Sequence, residues 1–185
     1  MENILVTGAA GFIGSHICLL LLEKGYNVLA FDSFVNSSPK SLDSVIKILE
    51  IKNINARERI NIIKGDLKRK SDINEIFSRN FKLGQPIKAV IHLAGLKSVF
   101  ESTQDPLSYW ENNTYGSINL LQAMRNYDCR TIVFSGSATV YKAKSDKLLN
   151  EDDYCEPINP YGNTKLNIER ILKDVYKSEP SQWRI

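Results

Sequence analysis

Five short runs rich in Ile, Val and Leu alternate with stretches of helical periodicity through almost the whole chain, and no other feature restricts the possible folds so strongly. The runs are Asn3–Thr7, Asn27–Phe31, Ile60–Lys64, Ala89–Leu93 and Thr131–Ser135. Between and after them, near Phe12–Lys24, Leu42–Lys52, Ser71–Asn80, Leu107–Tyr127 and Tyr161–Lys177, apolar residues return at the spacing of one helix face. Strands that are apolar along their whole length are buried on both sides, and helical crossovers between them make their neighbours parallel. The expected architecture is therefore α/β, a doubly wound parallel sheet with helices on both faces. Strand order 3-2-1-4-5 is expected, with a ligand crevice at the carboxyl ends where the order reverses. At 185 residues and 43% hydrophobic content the chain is long and apolar enough for one domain with its own core.

A glycine-rich turn joins the first strand to the first helix: Thr7-Gly8-Ala9-Ala10-Gly11-Phe12-Ile13-Gly14. Gly8 permits the tight exit from the strand, Gly11 lets backbone approach a pyrophosphate, and Gly14 lets helix and sheet pack closely. The helix N-terminus then offers N–H donors and partial positive charge to phosphate oxygens. Strand, turn and helix in that sequence make the sheet Rossmann-type. Asp32 ends the second strand, where a carboxylate accepts from ribose hydroxyls and repels a 2′-phosphate. Ser33 and Phe34 supply no neighbouring arginine, so the expected cofactor is NAD. Asp66, in Gly65-Asp66-Leu67 at the end of the third strand, is placed to accept from the adenine amine while Leu67 packs on the ring. Taken alone, Asp66 equally fits the N-terminal cap of the next turn.

Tyr161 and Lys165 are four residues apart at the start of a helix after Pro160, on one face of its first turns. A free phenol ionises near pH 10, so a tyrosine base working near neutrality needs about 4 kcal/mol of help from its surroundings. A nearby ammonium, a cationic nicotinamide and a helix N-terminus all act in that direction, and Lys165 is also placed to hold the nicotinamide ribose. Past the fifth strand runs Ser135-Gly136-Ser137-Ala138-Thr139-Val140-Tyr141. Ser137 is the expected partner of a substrate oxygen beside the tyrosine, with Thr139 supporting it.

The net charge of +3 is small and its basic residues are scattered, so neither nucleic acid nor a membrane is expected as a partner. Three distant cysteines and two histidines form no metal-ligand spacing and no disulfide framework, so no metal is expected and a cytoplasmic location fits. Ser178, Pro180 and Ser181 break the last helix, and residues 182–185 read as the opening of another strand. Residues 1–185 are accordingly expected to be a Rossmann domain cut at its sixth strand, with a C-terminal substrate domain absent.

These motifs together resemble the extended short-chain dehydrogenase/reductases and, within them, the UDP-glucose 4-epimerase subgroup. The resemblance rests on Phe12-Ile13-Gly14-Ser15-His16, the loop Asp32-Ser33-Phe34-Val35-Asn36-Ser37, Gly65-Asp66, His92-Leu93-Ala94-Gly95-Leu96-Lys97, Asn112-Asn113, Ser137 to Tyr141, and Tyr161 with Lys165. It implies that Phe12, Ile13 and the loop Asp32 to Ser37 bind the cofactor, that Leu93, Ala94, Gly95 and Leu96 border it, and that Asn112 touches it. It implies that Lys97 approaches both the nicotinamide side and the substrate phosphates, although Lys97 alone reads as a solvated loop charge and His92 as a packed strand residue. Ser137, Thr139 and Tyr161 would meet a UDP-hexose, and the helices near 107–127 and 161–177 would pair in a homodimer. The implied reaction is NAD-dependent inversion between UDP-galactose and UDP-glucose through a 4-keto sugar, as in galactose metabolism. A 4,6-dehydratase would carry an Asp-Glu pair in the central loop, for which Ala138 and Val140 leave no room. Two alternatives stay open, a non-catalytic NAD-binding fragment and a related nucleotide-sugar dehydrogenase or reductase. Gly136, where serine is usual, and Lys142, where glycine is usual, depart from the pattern.

Overall fold

The computed structural model describes residues 1–142 and 148–185. Five parallel strands, β1 (Asn3–Thr7), β2 (Asn27–Asp32), β3 (Ile60–Lys64), β4 (Ile87–His92) and β5 (Ile132–Phe134), form one sheet in the order β3-β2-β1-β4-β5. This is the expected doubly wound order. Helices α1 (Phe12–Glu23) and α2 (Lys40–Ile51) cover one face, while α3 (Lys70–Lys82), α6 (Gly116–Asn126) and α7 (Pro160–Ser178) cover the other.

Strand alternation divides the core. Leu5, Leu29 and Phe31 enter the cluster with Ile73, Phe77, Leu120, Met124 and Ile168. Ile4, Val6, Val28 and Ala30 enter the opposite cluster with Cys18, Leu22, Leu42 and Leu49. Each fully buried aliphatic side chain here stabilises the fold by roughly 1.5–3 kcal/mol over an exposed one. β1 is buried at every position, as a central strand between two helical layers must be.

The predicted helix over 107–127 is more elaborate than its periodicity implies. A short α4 (Val99–Gln104), not expected from the sequence, is capped by the Ser98 hydroxyl, which accepts from the Glu101 amide. It stops at Asp105-Pro106, because proline has no N–H to continue it. Then α5 (Pro106–Tyr109), a π-helical turn (Trp110–Tyr115) and α6 follow without a break. After β5 comes a 3₁₀ turn, Ala138–Val140. At the end of the chain Trp183 is buried, its indole N–H donates to Glu179, and the Arg130 guanidinium lies 5.4 Å from its ring. Arg184 forms a parallel bridge with Thr131 beside β5. Among the described residues no helix is long and apolar enough to cross a membrane.

Candidate functional site

Sheet register aligns the carboxyl ends of four strands. Thr7 pairs with both Phe31 and His92, and His92 pairs with Phe134, so these residues form one row at the point where the strand order reverses. A cleft of about 340 Å³ opens above this row. Such a crevice is where open α/β sheets take their ligands.

The glycine turn forms one wall. Gly8 has φ +68°, and a β-carbon there would also press on the Ala94 amide at 2.7 Å. A β-carbon on Gly14 would lie 2.1 Å from the Gly8 carbonyl, so the first turn of α1 reaches the strand exit only because both residues are glycine. Helix α1 has Gly11 as its N-cap, with no side-chain cap and no acidic residue in its first turn. The Ser15 amide is the first to bond back, to the Gly11 carbonyl at 2.9 Å. The N–H groups of Phe12, Ile13 and Gly14 thus have no acceptor among the described residues, at a place where the helix dipole favours an anion. This donor set fits a pyrophosphate.

Asp32, 7% exposed, is held by three donors: the Ala10 amide on Oδ2, and the Phe34 amide and Ser37 hydroxyl on Oδ1. A carboxylate offers about four acceptor positions, so one remains for a ligand hydroxyl. No ion pair to Asp32 is present among the described residues, and a 2′-phosphate would meet uncompensated negative charge there. Phe34 sits in the left-handed region with φ +59°, which turns its ring toward the α1–α2 core and away from the cleft. Ser33, Val35, Asn36 and Ser37 line the cleft around it.

Asp66 and Leu67 lie on the same wall. The Asp66 carboxylate accepts from the Lys68 amide at 2.9 Å, while the residue at the N-cap of α3 is Arg69. Asp66 therefore closes a tight turn before the helix and still faces the cleft. Leu93, Ala94, Gly95, Leu96, Lys97 and Asn112 border the opposite side.

Tyr161 and Lys165 complete the cleft. Asn159 caps α7 by accepting from the Gly162 amide, and Pro160 stands in the first turn, so the helix begins immediately before the tyrosine. Gly162 lets that first turn approach closely, since a β-carbon would lie 2.6 Å from the Thr139 carbonyl. The Tyr161 ring stands edge-on to Tyr109, with centroids 6.4 Å apart. Lys165 is 5% exposed, donates to the Ser135 carbonyl at 2.9 Å and lies 4.7 Å from the Phe134 ring centre. Burial pushes its pKa down to about 8, opposed in part by the Glu169 carboxylate. Burial also raises the pKa of Glu169, against the pull of Lys165.

Nearly all the expected residues meet in this one cleft. Gly8, Gly11, Phe12, Ile13, Gly14, Asp32, the residues 33 and 35–37, Asp66, Leu67, the stretch 93–97, Asn112, Tyr161 and Lys165 line it. Phe34, Ser137 and Thr139 do not. The Ser137 hydroxyl is instead 2.8 Å from that of Thr139 and accepts from its amide. Phe31, Gly65 and Ser135 also line the cleft, although the sequence assigned none of them a binding role. Phe31 reads from sequence as ordinary core, whereas Gly65 and Ser135 carried the signal of a polar or flexible residue at a strand end. The sequence departure at Gly136 has a spatial counterpart: a β-carbon there would lie 2.8 Å from the Glu169 carboxylate.

The family model described as "NAD dependent epimerase/dehydratase family" matches residues 4–183. A UDP-glucose 4-epimerase of Pisum sativum is 42% identical over 184 residues, covering 100% of this chain and 50% of the relative. One from Bacillus subtilis (strain 168) is 40% identical over 98% of this chain and 50% of its own length. The crystal structure of UDP-glucose 4-epimerase from Bifidobacterium longum, in complex with NAD+ and UDP, superposes with a TM-score of 0.88 at 38% identity. That superposition covers 100% of this chain and 51% of the other. The chain spans about half the length of these relatives.

Proposed function

We propose a function from one premise: the chain belongs to the NAD dependent epimerase/dehydratase family. Within it, the chain is the dinucleotide-binding part of a nucleotide-sugar epimerase. Its reaction is reversible inversion at C4 of the hexose in UDP-galactose and UDP-glucose through a 4-keto sugar, with a place in galactose metabolism. The observation that carries this reading is the joining of the glycine turn, Asp32, Tyr161 and Lys165 in one cleft.

NAD, when bound, would supply hydride-acceptor and hydride-donor chemistry at C4 of the sugar. The free amides of Phe12, Ile13 and Gly14 hold its pyrophosphate and Asp32 its adenosine ribose. Asp66 and Leu67 receive the adenine, and residues 93–96 and Asn112 border the remainder. Tyr161 accepts the 4-hydroxyl proton at its phenolic oxygen and gives it back after inversion. Lys165 favours the phenolate by its positive charge and holds the nicotinamide ribose. Lys97, exposed at the rim, meets the substrate phosphates. Ser137 orients the reacting oxygen, with Thr139 beside it. Tyr161→Phe in the complete protein is expected to lower UDP-galactose conversion by about 10²–10⁴-fold with NAD still bound. Near-normal turnover would remove Tyr161 as the base.

A second reading, an NAD-binding chain without catalysis, is favoured by the Ser137–Thr139 pairing outside the cleft. An assay following both product and NADH separates the cases. An epimerase inverts the sugar with no net NADH, a dehydrogenase accumulates NADH, and a binder converts nothing. Residues 1–185 are in this proposal the cofactor half, with the sugar pocket completed by a further domain. A homodimer through the helices near 107–127 and 161–177 is supported by exposed Leu107, Tyr115 and Tyr176 on those helices. Three free cysteines fit a reducing, cytoplasmic compartment.

A further inference from the structure

His92 is fully enclosed beneath the cleft and belongs to none of the roles above. Its Nδ1 lies 2.7 Å from the Thr7 hydroxyl and its Nε2 lies 2.8 Å from the Ser117 hydroxyl. Two further bonds fix the direction of this chain. The Ala94 amide, which can only donate, reaches the Thr7 hydroxyl at 3.3 Å. The Ser117 hydroxyl donates to the Asn113 carbonyl, which can only accept. With its one proton spent there, Ser117 must accept from His92, so Nε2 carries the hydrogen. Nδ1 is then an acceptor, and the Thr7 hydroxyl donates to it while accepting from Ala94. Every member is satisfied in one arrangement only.

Both ends of this chain lie at the cofactor cleft. Ala94 lines it directly, and Asn113 adjoins Asn112, which lines it from the π-helical turn. The Asn113 side chain also binds the Leu96 amide and carbonyl and the Thr164 hydroxyl on the tyrosine helix. We propose that His92 is a positioning residue: as the neutral, Nε2-protonated tautomer it links Ala94 to the π-helical turn and holds these two segments of one cleft wall in register for the dinucleotide. Geometry excludes the imidazolium, because both ring nitrogens would donate and the Thr7 hydroxyl proton would lose its acceptor. Electrostatics agree. Lys165 and His92 flank the Phe134 ring, whose centroid is 5.6 Å from the imidazole, and burial with the nearby Lys165 charge pushes the His92 pKa down to about 3.

The inference rests on the reading of the cleft as an NAD site only for its binding arm. In a long-range proton–nitrogen NMR spectrum of the chain, His92 is expected as the Nε2–H tautomer, unchanged from about pH 5 to about pH 9. A Nδ1–H tautomer, or titration within that range, overturns the proposal whether or not NAD binds. In the binding arm, Thr7→Val removes the hydroxyl with little change of shape, and the Kd for NAD is expected to rise about tenfold. Thr7→Ser is expected to restore it. Wild-type affinity in Thr7→Val, even with a lowered melting temperature, would reduce His92 to a structural residue. Should Thr7→Val fail to fold, Ser117→Ala interrupts the chain at its other end with the same expected rise and the same overturning result. Absence of NAD binding by the parent chain would defeat the cofactor reading, and the tautomer would still decide the role of His92.

Discussion

Lys165 shows at the scale of one residue how a site trades stability for chemistry. An exposed lysine ionises near 10.4, whereas this one, desolvated among Ser135, Phe134 and α7, does so near 8. The unfolded chain therefore holds the proton more tightly than the folded one. Below about pH 8 the full cost of burying the ammonium opposes folding, and it is relieved as pH rises toward about 10.4, where the unfolded state still binds a proton that the folded state has released. Lys165→Met is accordingly expected to stabilise the fold at neutral pH by about 1–3 kcal/mol, the lost bond to Ser135 offsetting part of the gain. The gain should fade across that upper range. Denaturant titrations at neutral and at high pH check both the sign and the window, and a variant weaker than the parent at neutral pH contradicts the argument. Glu169 moderates the effect, since its carboxylate favours the charged lysine from the next turn of α7.

At the scale of an element, the π-helical turn is where the long helical run acquires a function. A plain α-helix over 106–126 would satisfy the apolar periodicity equally well. The wider turn lets Asn113 point inward to the 93–97 loop and to α7 while Asn112 borders the cleft. Asn113 is 1% exposed, so its own amide groups have no water to turn to. Asn113→Ala is expected to cost about 2–4 kcal/mol. A fall in the urea midpoint with an unchanged slope would fit loss of these bonds, and an unchanged midpoint would mean that the loop finds other partners. Gly162 is a second case. A glycine inside a helix costs about 1 kcal/mol against alanine, and here it admits the Thr139 carbonyl to within reach of the tyrosine turn.

The whole molecule is a three-layer sandwich with apolar residues left outside both core clusters. Leu107 is 78% exposed and Tyr115 49%, both on the run that contains the π-helical turn. Pairing of two copies through this run and α7 would bury them. Sedimentation analysis is expected to give a dimer for the parent protein and a monomer for the Leu107→Lys, Tyr115→Lys double variant, with its circular dichroism unchanged. A monomeric parent would remove the dimer from the proposed function.

How much of this was legible beforehand depends on the range of the interaction that decides each feature. Strand and helix alternation is written into local hydrophobic spacing, and the usual arrangement of a doubly wound sheet then gives the order β3-β2-β1-β4-β5. The glycine turn, Asp32 and the Tyr161–Lys165 pair were equally readable, because each depends on residue types at fixed spacing along one turn, one strand end or one helix face. Tertiary structure alone decided the rest. The ring of Phe34 lies outside the cleft, in a loop whose Phe34 amide and Ser37 hydroxyl meet the Ala10 amide from the glycine turn on the Asp32 carboxylate. Ser137 turned to Thr139, and the short α4 and the π-helical turn replaced part of a simple helix. His92 read as packing, since its partners Thr7 and Ser117 lie 85 and 25 residues away. Local sequence determines which elements form and which of them can bear a ligand. Which buried hydrogen bonds close, and so where the side chains finally point, is settled only when distant strands and helices meet and water is gone.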